Sequence, residues 1–443
     1  MNSEEIFIKQ LDENSSRLPS LFFACVAPSV MAFALSGVYT VVDGFFVGNR
    51  LGDPGLAAIA LAYPMAALIQ AMGTGLGMAG AIRFAILDAR GEEWERKQCL
   101  TAAMALLILV SVLVTAAGAA FLGPVLGVLG AEGDIFTLSE AYARVIVLGA
   151  GLQILGTGLV PFVRNMGGAA HAMAAMVTGF AANIVLDYAL VWQAGMGMAG
   201  AAWATVMGQG MTVLLAAAFM VRRRVRLAFP KASAFFWNMK MILKVSFAPF
   251  GLTFSPNVTL IFMNKFLLIY GGDRQVSAYG CIAYITAVVY LLLQGVGDGS
   301  QPLFSRFYGE GDKMHLRGVR ALAYGAGAAV AVVCMAGLFA ARGQVGRLFG
   351  ASAETGEDVA LALIPFLLAF PMIAFLRITT SYFYATEKNL LAYVLIYAEP
   401  VLLVVVLAVL PPFAGLGGVW LAVPLSQAAI FILGFFTKIR TDT

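Results

Sequence analysis

The chain has 443 residues, of which 61% are hydrophobic and only 12% are charged. A soluble globular domain carries about 25% charged residues, so this composition excludes an ordinary soluble protein. A disordered chain is excluded as well, because disorder requires low hydrophobicity and high charge. The formal net charge of +4 provides no broad basic surface, so we expect no nucleic-acid partner. The composition therefore predicts an all-α integral membrane protein.

The apolar segments of the chain are long enough to be counted as membrane spans. The first 19 residues are polar and rich in acids, unlike the basic start of a signal peptide, so the first apolar run is expected to stay in the membrane. A spanning helix needs about 20 mostly apolar residues. Twelve transmembrane helices are predicted on this basis, at 20–46, 55–84, 98–122, 136–160, 168–192, 198–221, 241–270, 276–302, 318–341, 358–383, 390–410 and 416–437.

Lysine and arginine are distributed unequally between the two sides that these spans define. Most of those outside the spans lie on the side of the termini, and only Arg50, Arg274, Arg342 and Arg347 lie on the other. Because cytoplasmic loops carry the excess of positive charge, both termini are predicted to be cytoplasmic. The predicted cytoplasmic segments include the N-terminal segment 1–19, a basic linker 222–240 and a tail 438–443. The charge of the linker is interpreted as a topology anchor at anionic lipid.

The sequences on the two sides of the linker resemble each other. The second span ends in the glycine-rich run 73–77, and the eighth span ends in a similar run at 295–299. Trp203 and Trp420 stand in comparable glycine-rich runs near the sixth and twelfth spans. Each half has six spans and begins on the same side of the membrane, which indicates parallel repeats. We therefore predict an N-terminal lobe at 20–221 and a C-terminal lobe at 241–437.

Four polar residues of the first half are predicted to lie at one depth, in the outer half of the bilayer: Asp43, Asn183, Asp187 and Thr205. Asn183 precedes Asp187 by four residues, so both side chains are on one helix face. Two carboxylates in a poorly hydrated pocket do not both stay ionised cheaply, so the site is suited to a proton or to a hard cation such as Na⁺. These residues are predicted to couple a cation, acting as metal ligands only if that cation is Na⁺. The alternative is that each aspartate caps a helix end.

The second half carries four charged residues inside its spans: Lys265, Asp298, Arg377 and Glu399. Their depths suggest an Asp298–Arg377 pair near the cytoplasm and a Lys265–Glu399 pair nearer the middle. The four residues form either charge-neutral locks between helices or a polar network that contacts substrate. If Glu399 is unpaired, it becomes a candidate for binding a cationic substrate. The four cysteines are far apart and two histidines are too few for a zinc or haem site, so no cofactor is expected.

Several motifs carry a resemblance to a known family: the runs 41–48, 183–187, 200–205 and 295–302. With these motifs the chain resembles multidrug and toxic compound extrusion (MATE) transporters, especially their bacterial branches, over nearly its whole length. The resemblance implies two six-helix lobes forming a V around a central cavity, and cation-driven antiport. It also implies a cation site at the positions of Asp43, Asn183, Asp187 and Thr205. The second half departs from the family pattern at Lys265 and Asp298.

The combined prediction is a secondary antiporter of the cell (inner) membrane, and not an enzyme. It is expected to export amphipathic, cationic organic compounds in exchange for H⁺ or Na⁺ by alternating access. Its expected partners are a small organic substrate and the lipid bilayer, and it is expected to be a monomer. The alternative is a flippase or exporter of a dedicated lipid-linked or metabolite substrate on the same fold. That alternative predicts a cavity dominated by basic residues, whereas the candidates of the first half are acidic.

Overall fold

The computed structural model describes residues 3–229 and 231–442, and every regular element within these ranges is a helix. The side chains of residues 3–17, 40, 41, 43–45, 53, 56 and 442 are outside the description. The helices of the described chain are α1 (3–51), α2 (53–89), α3 (Glu93–Val128), α4 (Gly133–Leu148 and Ala150–Asn165), α5 (Ala169–Asp187), α6 (Gly197–Arg222), α7 (232–271), α8 (273–310), α9 (Lys313–Leu348), α10 (Ala353–Ala385), α11 (Asn389–Val409) and α12 (Pro411–Asp442).

Left-handed glycines divide the longest helical stretches. Gly52 has a φ of 66° and separates α1 from α2, and Gly272 has a φ of 71° and separates α7 from α8. Gly415, with a φ of 57°, makes a similar break inside α12. A side chain would clash with the backbone in this conformation, so glycine is the favoured residue at each break. The first two breaks occur at the same junction in each repeat.

The described helices account for the predicted number of spans. Ten are long and apolar enough to cross a membrane, and α4 adds an eleventh when its two halves, bent by 56°, are taken as one span. One of the ten is the 79-residue stretch Ala232–Glu310, which contains two spans because it is broken at Gly272. The prediction of a twelve-helix membrane protein is therefore confirmed.

The outer surface of the helices is apolar, as a lipid environment requires. Val112 of α3, Val333 of α9, Leu368 of α10 and Val401 of α11 are all more than half exposed. A water-soluble protein rarely exposes contiguous apolar surface on this scale. In a bilayer these side chains contact acyl chains, while the helices satisfy their own backbone hydrogen bonds.

The chain forms two compact units whose boundaries fall inside α1 and α7. The N-unit comprises Met31–Phe254. The C-unit comprises the residues up to Val30 together with those from Ser255 onward. The lobes predicted from the sequence began at residues 20 and 241. The two compact units therefore differ from them by the first half of α1 and the first half of α7, which are exchanged.

Glycines within α2 and α8 pack against the exchanged half-helices. A Cβ atom on Gly299 of α8 would lie 2.8 Å from the Cα atom of Val26 in α1. A Cβ atom on Gly75 of α2 would lie 2.9 Å from the Cβ atom of Phe250 in α7. Such short separations leave no room for a side chain. The glycine-rich runs that reveal the repeat in the sequence are therefore helix-packing surfaces.

Small residues also bring α5 and α6 of the N-unit unusually close together. A Cβ atom on Gly208 would lie 2.7 Å from the carbonyl oxygen of Gly179. One turn further on, the hydroxyl of Thr212 donates to the carbonyl oxygen of Ala175 at 3.3 Å. Close approach at small residues strengthens van der Waals packing between membrane helices. This contact fixes the register of α5 against α6.

Helix α10 is the central element of the C-unit. Every residue from Leu376 to Ala385 is buried. Earlier in the helix, Phe366 packs against Tyr279 of α8 and Trp420 of α12, with ring centroids 6.2 and 6.3 Å apart. The segment from Leu376 to Ala385 is buried on all sides, so its polar side chains are held in a defined place. Arg377 is one of these side chains.

Candidate functional site

The contact between α5 and α6 holds three of the four predicted coupling residues. Asn183 and Asp187 lie one turn apart on α5 and are 2% and 1% exposed. The side-chain amide nitrogen of Asn183 lies 3.4 Å from the hydroxyl of Thr205 on α6. The fourth predicted residue, Asp43, is in α1, and its side chain lies outside the described residues. The described part of the site is thus an amide, a hydroxyl and a carboxylate.

Among the described residues, the hydrogen bonds of this site leave the buried side-chain oxygen of Asn183 without a donor. The hydroxyl of Thr205 donates to the carbonyl oxygen of Ala201 at 3.1 Å, so its own oxygen accepts from the Asn183 amide. This orientation turns Asn183 Oδ1 away from Thr205, and that atom has no hydrogen-bond partner in the described chain. A buried acceptor without a donor costs about 1–3 kcal/mol. A bound cation or a protonated group would remove this cost.

The α-helical hydrogen-bond pattern of α5 ends at Asp187. The six residues Tyr188–Gln193 that follow form a π-helix. π-Helical turns are rare because their wider ring packs less well, and they occur frequently at functional sites. The predicted coupling carboxylate therefore lies where the helix changes type. The alternative prediction, a simple cap at a helix end, does not account for a side chain that is almost completely buried.

Asp298 of the C-unit receives hydrogen bonds from neighbouring side chains. The side-chain amide of Gln294, one turn earlier on α8, donates to Asp298 Oδ1 at 2.7 Å. The hydroxyl of Tyr384 on α10 donates to the same oxygen at 3.4 Å. Asp298 is 3% exposed. Neutral donors from two helices thus fix this carboxylate in place.

Arg377 lies on the helix that packs directly against this part of α8. The hydroxyl of Ser381, one turn further on α10, donates to the carbonyl oxygen of Gly297 at 2.8 Å. The guanidinium of Arg377 is buried and lies 5.9 Å from the ring centroid of Tyr290. The members of the predicted Asp298–Arg377 pair are therefore buried on adjoining helix segments. Whether their charged atoms meet stays a prediction.

The predicted pair of Lys265 and Glu399 is wrong. Helix α7 buries Met263 and Leu267, whereas Lys265 lies between them on the opposite face and is exposed. Glu399 accepts a hydrogen bond at 2.6 Å from the side-chain amide of Gln427 on α12. Within the described chain neither residue makes an ion pair. The two residues were paired because they are predicted to lie at similar depths in the membrane. Lys265 is nevertheless on the exposed face of α7, so it does not face Glu399.

The surroundings of Glu399 are suited to a cationic ligand. It is half-buried and lies on the same stripe of α11 as the buried residues Ile396 and Leu403. The phenol of Tyr290, on α8, is close enough to Glu399 to interact with its negative charge. The side-chain oxygen of Gln427 is buried without a hydrogen-bond partner among the described residues. A carboxylate, an amide oxygen and an aromatic ring are groups that attract cations.

The sequence prediction missed the neutral members of these clusters, namely Gln294, Tyr384, Gln427 and Tyr290. The search for functional residues in the spans began from charged side chains, and these four carry none. One signal was available for Gln294, because it precedes Asp298 by four residues, as Asn183 precedes Asp187. The other three are brought to their partners by tertiary packing alone.

Comparison with known proteins gives consistent results along the chain. The family model MatE matches residues 28–189 and 250–410. The multidrug export protein MepA of Staphylococcus haemolyticus (strain JCSC1435) is 22% identical over 443 residues, covering 98% of this chain and 96% of that protein.

Solved structures share the fold. One is an outward-facing conformation of a multidrug resistance MATE family transporter of the MOP superfamily. It superposes with a TM-score of 0.88 at 23% identity, over 95% of each chain. Another is a MOP superfamily transporter from Pyrococcus furiosus Vc1 (DSM3638), described as having a binding pocket of reverse polarity that suggests a different function. Its TM-score is 0.89 at 23% identity, again over 95% of each chain.

Proposed function

This chain belongs to the MatE family of multidrug and toxic compound extrusion transporters, and we propose that it exports amphipathic organic cations in exchange for H⁺ or Na⁺. It is a multi-pass membrane transporter and not an enzyme. The proposal places it in the cell membrane as a monomer with both termini in the cytoplasm. It requires no cofactor apart from the coupling ion.

The observation that carries this proposal is the side-chain oxygen of Asn183 at the α5–α6 contact, which has no hydrogen-bond partner among the described residues. Asp187 lies one turn away on the same face, and Thr205 holds the amide in its orientation. Carboxylate, amide and hydroxyl oxygens bind a hard cation, and a buried carboxylate binds a proton. Asp43 of α1 completes this set in the proposal. Loading and unloading of such a site couples the ion gradient to the conformational cycle.

The available ion gradients are large enough for this task. One unit charge that crosses about 100 mV supplies about 2.3 kcal/mol. A gradient of one pH unit adds about 1.4 kcal/mol. For one-to-one exchange with a neutral substrate, both energies apply and together hold a substrate gradient of a few hundred-fold. One-to-one exchange with a monovalent cation moves no net charge, so the pH gradient alone holds about a tenfold gradient, and two coupling ions per substrate bring the membrane potential back into the exchange. No direct input from nucleotide hydrolysis is needed.

Glu399 is proposed as the contact for the positive charge of the substrate. Its carboxylate receives an amide hydrogen bond and makes no ion pair in the described chain. The Pyrococcus furiosus relative is described as having a pocket of reverse polarity. The charge of the binding pocket therefore differs among proteins of this fold. In the present chain, Glu399 supports a cationic substrate. Exchange of Glu399 for Gln is expected to raise the KM for a cationic dye and to leave uptake of a neutral dye unchanged.

The deciding experiment is ethidium transport in proteoliposomes with a proton gradient or a sodium gradient imposed singly. The unmodified protein should transport the dye with one of the two gradients, whereas Asp43→Asn and Asp187→Asn should lose that dependence. Asp298→Asn is the matched control, because it neutralises a buried carboxylate held by its own donors in the C-unit. It should keep the gradient dependence.

Two outcomes contradict the proposal. Gradient-dependent transport by Asp187→Asn would show that the α5–α6 site does not couple ions. Absence of dye transport by the unmodified protein under either gradient would refute polyspecific export. A dedicated lipid-linked or metabolite substrate would then be the better hypothesis.

A further inference from the structure

A cavity of about 400 Å³ opens in the N-unit where the ends of α2, α4 and α6 meet the start of α3 and the linker that follows α6. This volume is within the range of small-molecule sites. It lies at the end of the helices that is predicted to face the cytoplasm. The charged side chains that line it are Asp88, Glu93, Arg96, Lys97, Arg223, Arg224 and Arg226.

This cavity, the linker cavity, has basic side chains on two sides, from α3 and from the linker, and the two sets are not equivalent. Arg96 forms a salt bridge with Asp88, and Lys97 Nζ lies 2.5 Å from Glu93 Oε1. These contacts neutralise the bases contributed by α3. Three of the four linker arginines line the other wall: Arg223, Arg224 and Arg226. They are exposed, and within the described chain their guanidinium groups make no salt bridge, although Arg226 also interacts electrostatically with Glu93. Because the bases of α3 already pair with both acids of the lining, this wall keeps a net positive charge.

The linker that carries these arginines has a fixed backbone. The N–H of Val225 donates to the carbonyl oxygen of Met220 at 3.1 Å, and the N–H of Arg224 donates to that of Val221 at 2.9 Å. Four residues after Arg224, the N–H of Ala228 donates to the hydroxyl of Thr101 on α3 at 3.0 Å. The segment 224–228 of the linker is thus attached to α6 at one end and to α3 at the other. A basic wall that is ordered in advance binds a ligand with less loss of conformational entropy.

Arg224 occupies a backbone position that favours glycine. Its φ is 52°, in the left-handed region, at the residue that closes the end of α6. Elsewhere α2, α3, α4, α8 and α9 end with a left-handed glycine, and only Arg224 and Glu387 are non-glycine residues with such a φ in the described chain. A topology anchor does not require an arginine here, because Arg222 and Arg223 adjoin it. A strained residue of this kind is a reason to look for a function.

We propose that the linker cavity binds a phosphate-bearing anion, either a lipid headgroup or a soluble phosphorylated molecule. The planar fork of arginine matches the geometry of phosphate oxygens, which favours this group over other anions. The apolar part of the lining, which includes Phe84, Leu100 and Met166, accommodates the carbon portion of the ligand. This ligand is distinct from the exported cation, and its site shares no residue with the α5–α6 site.

The test begins with a soluble probe. Inorganic pyrophosphate is titrated calorimetrically into the full-length protein in phosphatidylcholine nanodiscs. The cavity variant combines Arg223→Gln, Arg224→Gly and Arg226→Gln, and it should bind at least about tenfold more weakly, because charge-assisted hydrogen bonds are lost. The matched control combines Lys231→Gln, Lys240→Gln and Lys244→Gln. These lysines are exposed and lie outside the cavity lining, so affinity should change by less than about twofold.

Arg224→Gly on its own separates loss of binding from loss of folding. Glycine is the residue that this backbone position favours, so the melting temperature should stay the same or rise. Its affinity for pyrophosphate should nevertheless fall. A fall in affinity without a fall in stability supports a binding role for Arg224.

A second arm distinguishes the two sources of the phosphate. Part of the phosphatidylcholine is replaced by phosphatidylglycerol, and lipids retained by the protein are counted by native mass spectrometry. If the natural ligand is a headgroup, phosphatidylglycerol should stay on the unmodified protein but not on the cavity variant, and it should suppress pyrophosphate binding. If the ligand is soluble, pyrophosphate binding should be insensitive to the lipid. Equal losses in the two triple variants, or no binding of either probe, would overturn the proposal.

Discussion

Replacing Asn183 by leucine is expected to preserve or increase stability while it disables ion coupling. Leucine has the same number of side-chain heavy atoms in the same branched arrangement. The exchange removes the long hydrogen bond of 3.4 Å to Thr205, which contributes at most about 1 kcal/mol. It also removes a buried oxygen without a partner in the described chain, whose desolvation costs about 1–3 kcal/mol. The free energy of unfolding should therefore change by about 0 to +3 kcal/mol.

The C-unit offers a matched control for this exchange. Gln294 also precedes a buried aspartate by one turn, but its amide donates to the carboxylate of Asp298 at 2.7 Å. Hydrogen bonds to charged groups contribute about 1.5–3 kcal/mol. Gln294→Met should therefore lower the free energy of unfolding by about that amount. Two similar exchanges of an amide for an apolar group should thus act in opposite directions.

Equilibrium unfolding of both variants in detergent, measured beside the unmodified protein, provides the comparison. Ethidium transport in proteoliposomes then shows whether Asn183→Leu has lost its dependence on the ion gradient. If Asn183→Leu is destabilised as much as Gln294→Met, the Asn183 oxygen has a partner within the protein. The reasoning that makes it a cation ligand would then be refuted.

Three other substitutions test the packing and the charges. Gly208→Ala should lower the free energy of unfolding by about 1–3 kcal/mol, because its new Cβ atom would lie 2.7 Å from a carbonyl oxygen of α5. Gly210→Ala is the control: the nearest atom to its new Cβ would be 3.5 Å away, so the melting temperature should stay nearly unchanged. Burial acts to raise the pKa of Asp312, but hydrogen bonds from His315 outweigh it and hold that pKa below its usual value. Its stabilisation is therefore present at neutral pH and is lost as the pH falls through the lowered pKa. The difference in melting temperature between Asp312→Asn and the unmodified protein should begin to narrow below about pH 4 and close only below the lowered pKa. Arg274→Ala removes the ion pairs of this exposed arginine with Glu354 and Asp358 and should cost no more than about 1 kcal/mol in chemical unfolding. A larger loss would mean that the pair with Asp358 is shielded from water.

The sequence contains enough information for the α5–α6 site because two local rules determine it. A spacing of four residues places Asn183 and Asp187 on one helix face. The direction of each span then places Thr205 at the same depth. Because glycines bring the two helices into close contact, residues at the same depth on α5 and α6 also lie near each other. Depth and helix face therefore agree at this site.

The same reasoning failed for Lys265 and Glu399 because depth was used without the helix face. The core positions Met263 and Leu267 show which face of α7 is buried, and Lys265 is not on it. Spacing of apolar residues in the sequence could have excluded this pair. The contact between Glu399 and Gln427 depends on how α11 packs against α12, which no local pattern specifies.

The exchange of half-helices between the two compact units could also not be predicted from the sequence. The spans 20–46 and 241–270 have uniform apolar composition, and nothing in them marks a change of packing partner at Val30 or Phe254. The glycines that receive these segments were visible, but a glycine-rich run does not identify the helix that packs on it. Tertiary packing supplies that information.

The exchanged half-helices have a consequence for the origin of this architecture. A single repeat produced alone would lack a partner for the first half of its first helix, and the glycine surface at the end of its second helix would be uncovered. Two identical copies would satisfy both needs reciprocally, as an interlocked homodimer. Gene duplication followed by fusion then adds only the connection between the copies. In the present chain, each compact unit accordingly contains a half-helix from the other repeat, so neither repeat is a self-contained packing unit.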